Sequence, residues 1–161
     1  RWGKRSGKSM GKLLVVDDED DVRLSLQRRL TREGHNVTIA GSQAEAIETI
    51  ANSETPFDVV LTDMLMESPN SGVEVLKAAL ARDVFTEVVV LTAYGNVANA
   101  VECMKMGAFD YVEKNIPGVD VYELIIIKIE QALDRRRSSL STVRKLESLA
   151  KIQDKFGTQK A

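Results

Sequence analysis

The stretch KLLVVDDEDD, Lys12–Asp21, sets the reading of the whole chain. Lys12–Val16 is a short apolar, β-branched run of the kind that forms a buried strand. It stops at an unbroken series of acids, Asp17–Asp21. Immediately beyond, Val22, Leu26 and Leu30 recur every four residues, which predicts a helix that Gly34 terminates. A strand that ends in acids and turns straight into a helix is the first βα unit of an α/β sheet.

The same alternation continues outward. Asn36–Ala40 reads as a second strand, and Ser42 with Glu45 forms a capping-box signature ahead of Ala46, Ile47, Ile50 and Ala51. Phe57–Thr62 is a third strand, followed after a loop by a helix through Val73, Leu76 and Leu80. Glu87–Leu91 is a fourth strand, Val97, Ala100, Val101 and Met104 mark a fourth helix, and Phe109–Val112 is a short fifth strand. Asp120 and Glu123 resemble a cap opening a long fifth helix, on which Tyr122, Ile125, Ile126, Ile129 and Leu133 form the stripe expected to cover the sheet. Leu124 and Ile127 fall off that stripe. Five such units predict an α/β fold of (βα)5 type, a parallel sheet with helices on both faces and right-handed crossovers. Beyond Leu133 the polar run Asp134–Ser139 precedes Leu140, Val143, Leu146, Leu149 and Ile152. A strict heptad from Leu133 and Leu140 would put Glu147 and Asp154 at core positions, so a helical extension is expected rather than a long coiled coil. The boundaries read as a basic N-terminal tail over 1–11, a domain over 12–134 and a helical extension or linker with a frayed end over 135–161.

Composition narrows the chemistry. The 161 residues are 43% hydrophobic and 29% charged, enough to bury a core. No apolar run exceeds that of Leu124–Ile127 in length, far short of the ~18–20 residues of a membrane span. The basic start meets acids after only Leu13–Val16, which no signal peptide does. One cysteine, Cys103, excludes an intramolecular disulfide framework and a Cys-rich zinc site, and one histidine, His35, excludes a multi-His centre. The protein is expected to be soluble and cytoplasmic. Of its 22 basic and 24 acidic residues, the body 13–127 holds 8 and 20, a balance of −12. An acidic body argues against a surface that grips nucleic acid.

Ligands in open α/β sheets bind beyond the carboxyl ends of the strands. The first strand ends in Asp17–Asp21, the third in Asp63, the fourth in Thr92, and the fifth runs into Lys114. Singly these are ordinary: acids before a helix commonly serve as caps, a strand-end Asp or Thr as a turn residue, a lysine as a solvated side chain. Together they converge on one edge of the sheet. If the first and third strands are neighbours, Asp17, Asp18 and Asp63 crowd one pocket, and three carboxylates that close need a compensating cation. All-oxygen ligation suits Mg2+ or Mn2+ rather than zinc.

These residues match a known family. LLVVDDE (Leu13–Glu19), FDVVLTDMLM (Phe57–Met66), VVVLTAY (Val88–Tyr94) and GAFDYVEK (Gly107–Lys114) resemble the receiver domain of two-component response regulators, over about residues 12–134. The spacings agree as well: 45 residues from Asp18 to Asp63, 29 more to Thr92 and 22 more to Lys114. The resemblance implies a flavodoxin-like strand order 2-1-3-4-5. It implies Mg2+-dependent phosphoryl transfer to Asp63 from a phosphohistidine on a sensor histidine kinase or phosphotransfer protein. Asp17, Asp18, Asp63 and the backbone carbonyl of Leu65 would hold the ion (Mg2+, with Mn2+ as a substitute), and Lys114 and Thr92 would each engage a phosphoryl oxygen. Thr92 and Tyr111 would form a switch that alters the surface of the fourth helix, fifth strand and fifth helix, with a phosphorylation-dependent homodimer through the fourth and fifth helices as its output. Such a protein is a signalling phosphoacceptor rather than an enzyme, needs no membrane, and meets nucleic acid only through an effector domain. Leu65 and Tyr94 would flank the path of a hydrolytic water.

Two departures from the family pattern stand out. The loop after Asp63 is one residue longer than usual, with Pro69 displaced and Gly72 nine residues on. Lys114 is followed by Asn115 in place of a proline with a cis bond, and a cis bond before Asn115 would cost ~2.5–4 kcal/mol. The main rival is a haloacid-dehalogenase-type Mg2+-dependent phosphatase, with Asp18 as nucleophile and Asp20 as general acid; it lacks the acidic pair a late strand should carry. A dinucleotide fold lacks its glycine motif, since four further acids follow Asp17 instead. A purely structural receiver acting as an interaction module is at odds with the intact Asp63, Thr92 and Lys114.

Overall fold

The computed structural model describes residues 10–93 and 96–157. Strands and helices alternate as β1 (Lys12–Val16), α1 (Asp20–Arg32), β2 (Asn36–Ala40), α2 (Gln43–Asn52), β3 (Val59–Asp63), α3 (Ser71–Arg82), β4 (Glu87–Thr92), α4 (Val97–Lys105), β5 (Asp110–Glu113) and α5 (Val121–Gly157). All pairings are parallel and the order is β2-β1-β3-β4-β5, the expected doubly wound sheet.

Period-two alternation sorts each strand between two cores. Leu13, Val15, Val59, Leu61, Val89 and Leu91 face Leu26 and Leu30 of α1 and Ile125, Ile129 and Leu133 of α5. Leu14, Val16, Val60, Val88 and Val90 face α2, α3 and α4 through Ala46, Ile50, Val75, Leu76, Ala79 and Cys103. Burial on both faces explains why the central strands are apolar without interruption. Their functional atoms lie only at the ends.

Local signals act much as read. Ser42 Oγ accepts the Glu45 N–H at 3.1 Å, while Glu45 Oε1 accepts the Gly41 N–H at 2.6 Å, closing the start of α2. Asp120 Oδ1 accepts the Tyr122 N–H at 3.1 Å at the start of α5. Three strands differ at their boundaries, β3 running on to Asp63 and β4 to Thr92, one residue past each expected end. β3 begins at Val59 rather than Phe57, because the Asp58 carboxylate, not a main-chain carbonyl, takes the Lys12 N–H at 2.8 Å. β5 runs one residue later than expected, with Phe109 donating to the Val88 carbonyl just before it.

α5 is continuous for 37 residues, ~55 Å at the helical rise. Ile125, Ile129, Ala132 and Leu133 are buried and Leu124 packs against the same core, whereas Ile127 is 51% exposed. Contacts with the domain reach past Asp134 to Arg136, which is buried. Farther on, Leu146, Leu149, Ile152 and Phe156 are exposed. Among the described residues, no helix is long and apolar enough to cross a membrane.

Candidate functional site: an acidic pocket at the strand ends

The pairing of β1 with β3 brings their carboxyl ends side by side, Val16 opposite Thr62. Asp17 and Asp18 follow β1, and Asp63 closes β3. Their carboxylates each offer an oxygen within 4.8 Å of the others. Asp17 is fully buried and Asp63 nearly so, while Asp18 lies at the open side. The three acids expected to share a pocket do share one.

Lys114, one residue past β5, reaches back across the sheet edge. Its ammonium lies 2.9 Å from Asp17 Oδ2, 3.3 Å from Asp63 Oδ2 and 3.3 Å from Glu19 Oε1. Asp17 Oδ1 accepts the Glu19 N–H at 2.9 Å, so both oxygens of this buried carboxylate are engaged. Burial pushes the Asp63 carboxyl up from its ordinary 3.8 to about 6; the Lys114 charge opposes this, and Asp17 and Asp18 add to it. Burial works against the Lys114 ammonium, but its hydrogen bond to Asp17 and the charges of Asp63 and Asp17 outweigh that and push its pKa above the usual lysine value. One ammonium cannot balance three clustered carboxylates. An all-oxygen donor set with a net negative charge and an exposed side suits a hard dication of the Mg2+ class, so the residues present fit such an ion.

The remaining predicted positions are less uniform. Thr92 is fully buried at the end of β4, but its hydroxyl donates to the Asn96 carbonyl at 2.8 Å and so is committed to the β4–α4 turn. Tyr111 is partly buried against the α2–α4 side of the sheet. Leu65 is exposed in the β3–α3 loop. Tyr94 and the tail residues 1–9 lie outside the described residues.

The longer loop leaves the end of β3 undisturbed. Met64 donates to the Leu91 carbonyl and Gly72 donates to the Met64 carbonyl at 2.9 Å. A side-chain carbon at Gly72 would sit 2.8 Å from Met64 Cα, so the glycine is what lets α3 start against β3. Within the loop Ser68 N–H donates to Ser71 Oγ, and Glu67 takes the N–H of Gln43 at the start of α2. The Lys114–Asn115 peptide is trans, and Asn115 takes up the turn with φ 57°, a conformation asparagine tolerates better than most residues.

The phosphatase alternative fails on geometry. Asp20, its required general acid, is outside the carboxylate cluster: its side chain is 79% exposed and pairs with Arg23 at 2.6 Å. Two contributors were not singled out from sequence. Glu19 reaches Lys114, and Arg23 binds the turn that carries the acids. The i,i+3 spacing of Asp20 and Arg23 on α1 signals only the outer half of that contact.

Residues 13–126 match the family model of the response regulator receiver domain. The chain is 34% identical over 132 residues to the acid tolerance regulatory protein ActR of Rhizobium meliloti (strain 1021), covering 82% of this chain and 66% of that protein. It is 36% identical over 117 residues to the response regulator protein PilR of Pseudomonas aeruginosa, covering 73% of this chain and 26% of PilR. A putative NtrX-like response regulator of Rickettsia bellii is matched over only 21% of its length, so the chain spans a fraction of its relatives that runs from there to the 66% of ActR. A receiver domain protein from Clostridium thermocellum has a TM-score of 0.70 at 31% identity, over 80% of this chain and 98% of that one. The receiver domain of NtrX from Brucella abortus has a TM-score of 0.66 at 28% identity, over 76% and 98%. The sequence match and the superposition cover the same sheet whose ends gather the acids around Lys114, and on that ground the chain belongs to the response regulator receiver domain family.

Proposed function

We propose that Asp63 accepts a phosphoryl group from the phosphohistidine of a sensor histidine kinase or phosphotransfer protein. The observation that carries this reading is the convergence of Asp17, Asp18 and Asp63 on the Lys114 ammonium. Asp17, Asp18, Asp63 and the Leu65 carbonyl would hold Mg2+, or Mn2+ in its place. The ion supplies charge neutralisation between an anionic nucleophile and an anionic phosphoryl group.

The residues of the chain do the rest. An Asp63 oxygen, ionised at neutral pH because its pKa of about 6 lies below it, attacks phosphorus in line. The new P–O bond forms as the P–N bond to imidazole breaks, and the electron pair leaves on the donor nitrogen. Lys114 already touches Asp63 and needs only a small shift to reach a phosphoryl oxygen. Thr92 must exchange its bond to the Asn96 carbonyl for another phosphoryl oxygen. That exchange pulls on the β4–α4 turn and couples the acyl phosphate to Tyr111 and the α4–β5–α5 surface. Residues 12–134, with the buried Arg136, form the phosphoaccepting unit, working in the cytoplasm, and the rest of α5 through Gly157 is the extension leading away from it. Contact with nucleic acid belongs to an effector domain.

Intact mass after treatment with acetyl phosphate and Mg2+ tests the reading. The wild type should gain the mass of one phosphoryl group and Asp63→Asn should gain none. An unmodified wild type, or equal labelling of both, overturns it.

A further inference from the structure

Arg23 is more than a partner for Asp20. Its guanidinium, on an 84% buried side chain by the 16% it exposes, lies between the end of β1 and the turn after β2. Nη1 donates to the Asp17 carbonyl at 2.8 Å and Nη2 donates to Asp20 Oδ1 at 2.6 Å. One planar group therefore ties the first and last residues of the turn that presents Asp17 and Asp18. The opposite wall makes room for it: a side-chain carbon at Gly41 would sit 3.2 Å from Nη1. Asp17 is then held at its N–H by the Ala40 carbonyl, at its carbonyl by Arg23, and at its carboxylate by Glu19 N–H and Lys114.

We infer that Arg23 is a positioning residue for the cation site: it clamps the Asp17–Asp20 turn so that the carboxylates of Asp17 and Asp18 stay aimed at Asp63. This rests on the metal-dependent reading above. Charge repulsion and a clamp have opposite consequences for cation binding. A guanidinium near a cation site repels the cation, so a charge effect alone predicts that removing it tightens Mg2+ binding. A clamp predicts the opposite, since loss of a group that orients metal ligands commonly weakens binding by about tenfold or more.

The experiment is a calorimetric Mg2+ titration of the wild type, Arg23→Met and Gly41→Ala, with thermal melting of each metal-free protein. Arg23→Met keeps the aliphatic stem and removes the head. Gly41→Ala keeps the charge and crowds the head, and it carries the test if Arg23→Met fails to fold. Both variants should bind Mg2+ about tenfold more weakly than wild type. Unchanged or tighter binding, with or without a lower melting point, overturns the clamp. A wild type that takes up no Mg2+ overturns the underlying reading and the clamp with it; a wild type that binds beside variants that match it overturns the clamp alone.

Discussion

At the scale of single residues, the pocket stores a conflict that pH exposes. Asp63 prefers its proton in the metal-free fold, with a pKa of about 6 against an ordinary 3.8, chiefly because it is buried. The stability linked to that proton is fully present below 3.8, where both folded and unfolded chains hold it, and is lost as pH rises through about 6. In metal-free protein at pH 7, Asp63→Asn should therefore raise stability by on the order of 2 kcal/mol. The gain should shrink towards zero as the pH falls below the ordinary value of 3.8. Urea unfolding of both proteins across that range checks it, and a variant less stable than wild type at pH 7 would contradict it. Added Mg2+ should stabilise the wild type and leave Asp63→Asn much less affected, because an ion bound only by the native state shifts the unfolding equilibrium.

At the scale of elements, α5 divides into two stretches with different sources of order. From Val121 to Leu133 its apolar stripe covers one face of the sheet. The stripe is finished by a polar clamp. Arg136 Nε donates to Asp58 Oδ1 at 2.8 Å and Nη2 to Asp83 Oδ2 at 3.1 Å, while Arg135 Nε lies 3.3 Å from Glu87 Oε2. Asp58 in turn accepts the Lys12 N–H, so the helix is tied to the start of β1 as well as to the α3–β4 loop. Arg136 is buried and both its carboxylate partners are largely shielded, so Arg136→Ala should cost about 2–3 kcal/mol in chemical denaturation. A loss under 0.5 kcal/mol would place this clamp among ordinary surface pairs, which are worth about that much. Beyond the clamp Leu146, Leu149, Ile152 and Phe156 are exposed, so this stretch lacks the apolar burial from which most helical stability comes. Amide exchange should be slow through residue 136 and fast after about residue 140, with the boundary moving towards 133 in Arg136→Ala.

The whole molecule is a sheet whose two ends are built for different purposes. The carboxyl end gathers acids around Lys114, and the amino end holds Arg136 between Asp58 and Asp83. Between them runs α5, one continuous helix from Val121 that packs against the sheet and carries Arg136 to the amino end. The exposed Val101, Met104 and Met106 of the α4 region and Ile127 of α5 supply apolar area on the α4–β5–α5 side. With Asp63 occupied by a phosphoryl mimic, that side is the expected dimer contact. Sedimentation should show a rise in mass when beryllofluoride and Mg2+ are added, and no rise with Asp63→Asn. A monomer under both conditions would contradict the dimer and leave the phosphoacceptor reading intact.

The sequence of elements, the pocket acids and the position of Lys114 were legible in the chain because each depends on local signals, apolar runs that end abruptly in charge and the period of the intervening helices, whereas the strand order 2-1-3-4-5 followed only from the family resemblance. Asp17, Asp18 and Asp63 could be brought together on paper once β1 and β3 were neighbours, and their distances follow from that pairing. Other features have no local signature. Arg136 sits in the wholly polar run Asp134–Ser139, where nothing in the spacing distinguishes a buried guanidinium from a solvated one. Whether Thr92 faces Asp63 or the Asn96 carbonyl is a choice of rotamer within a folded turn. That Gly41 makes room for Arg23 depends on a turn and a helix separated in sequence and adjacent only after β1 pairs with β2. The order of elements and the chemistry at their ends can be read from the chain alone, because burial pattern and charge are written residue by residue. Which of those charges neutralise one another emerges only on folding, because it rests on distances between groups that the chain brings together from far apart.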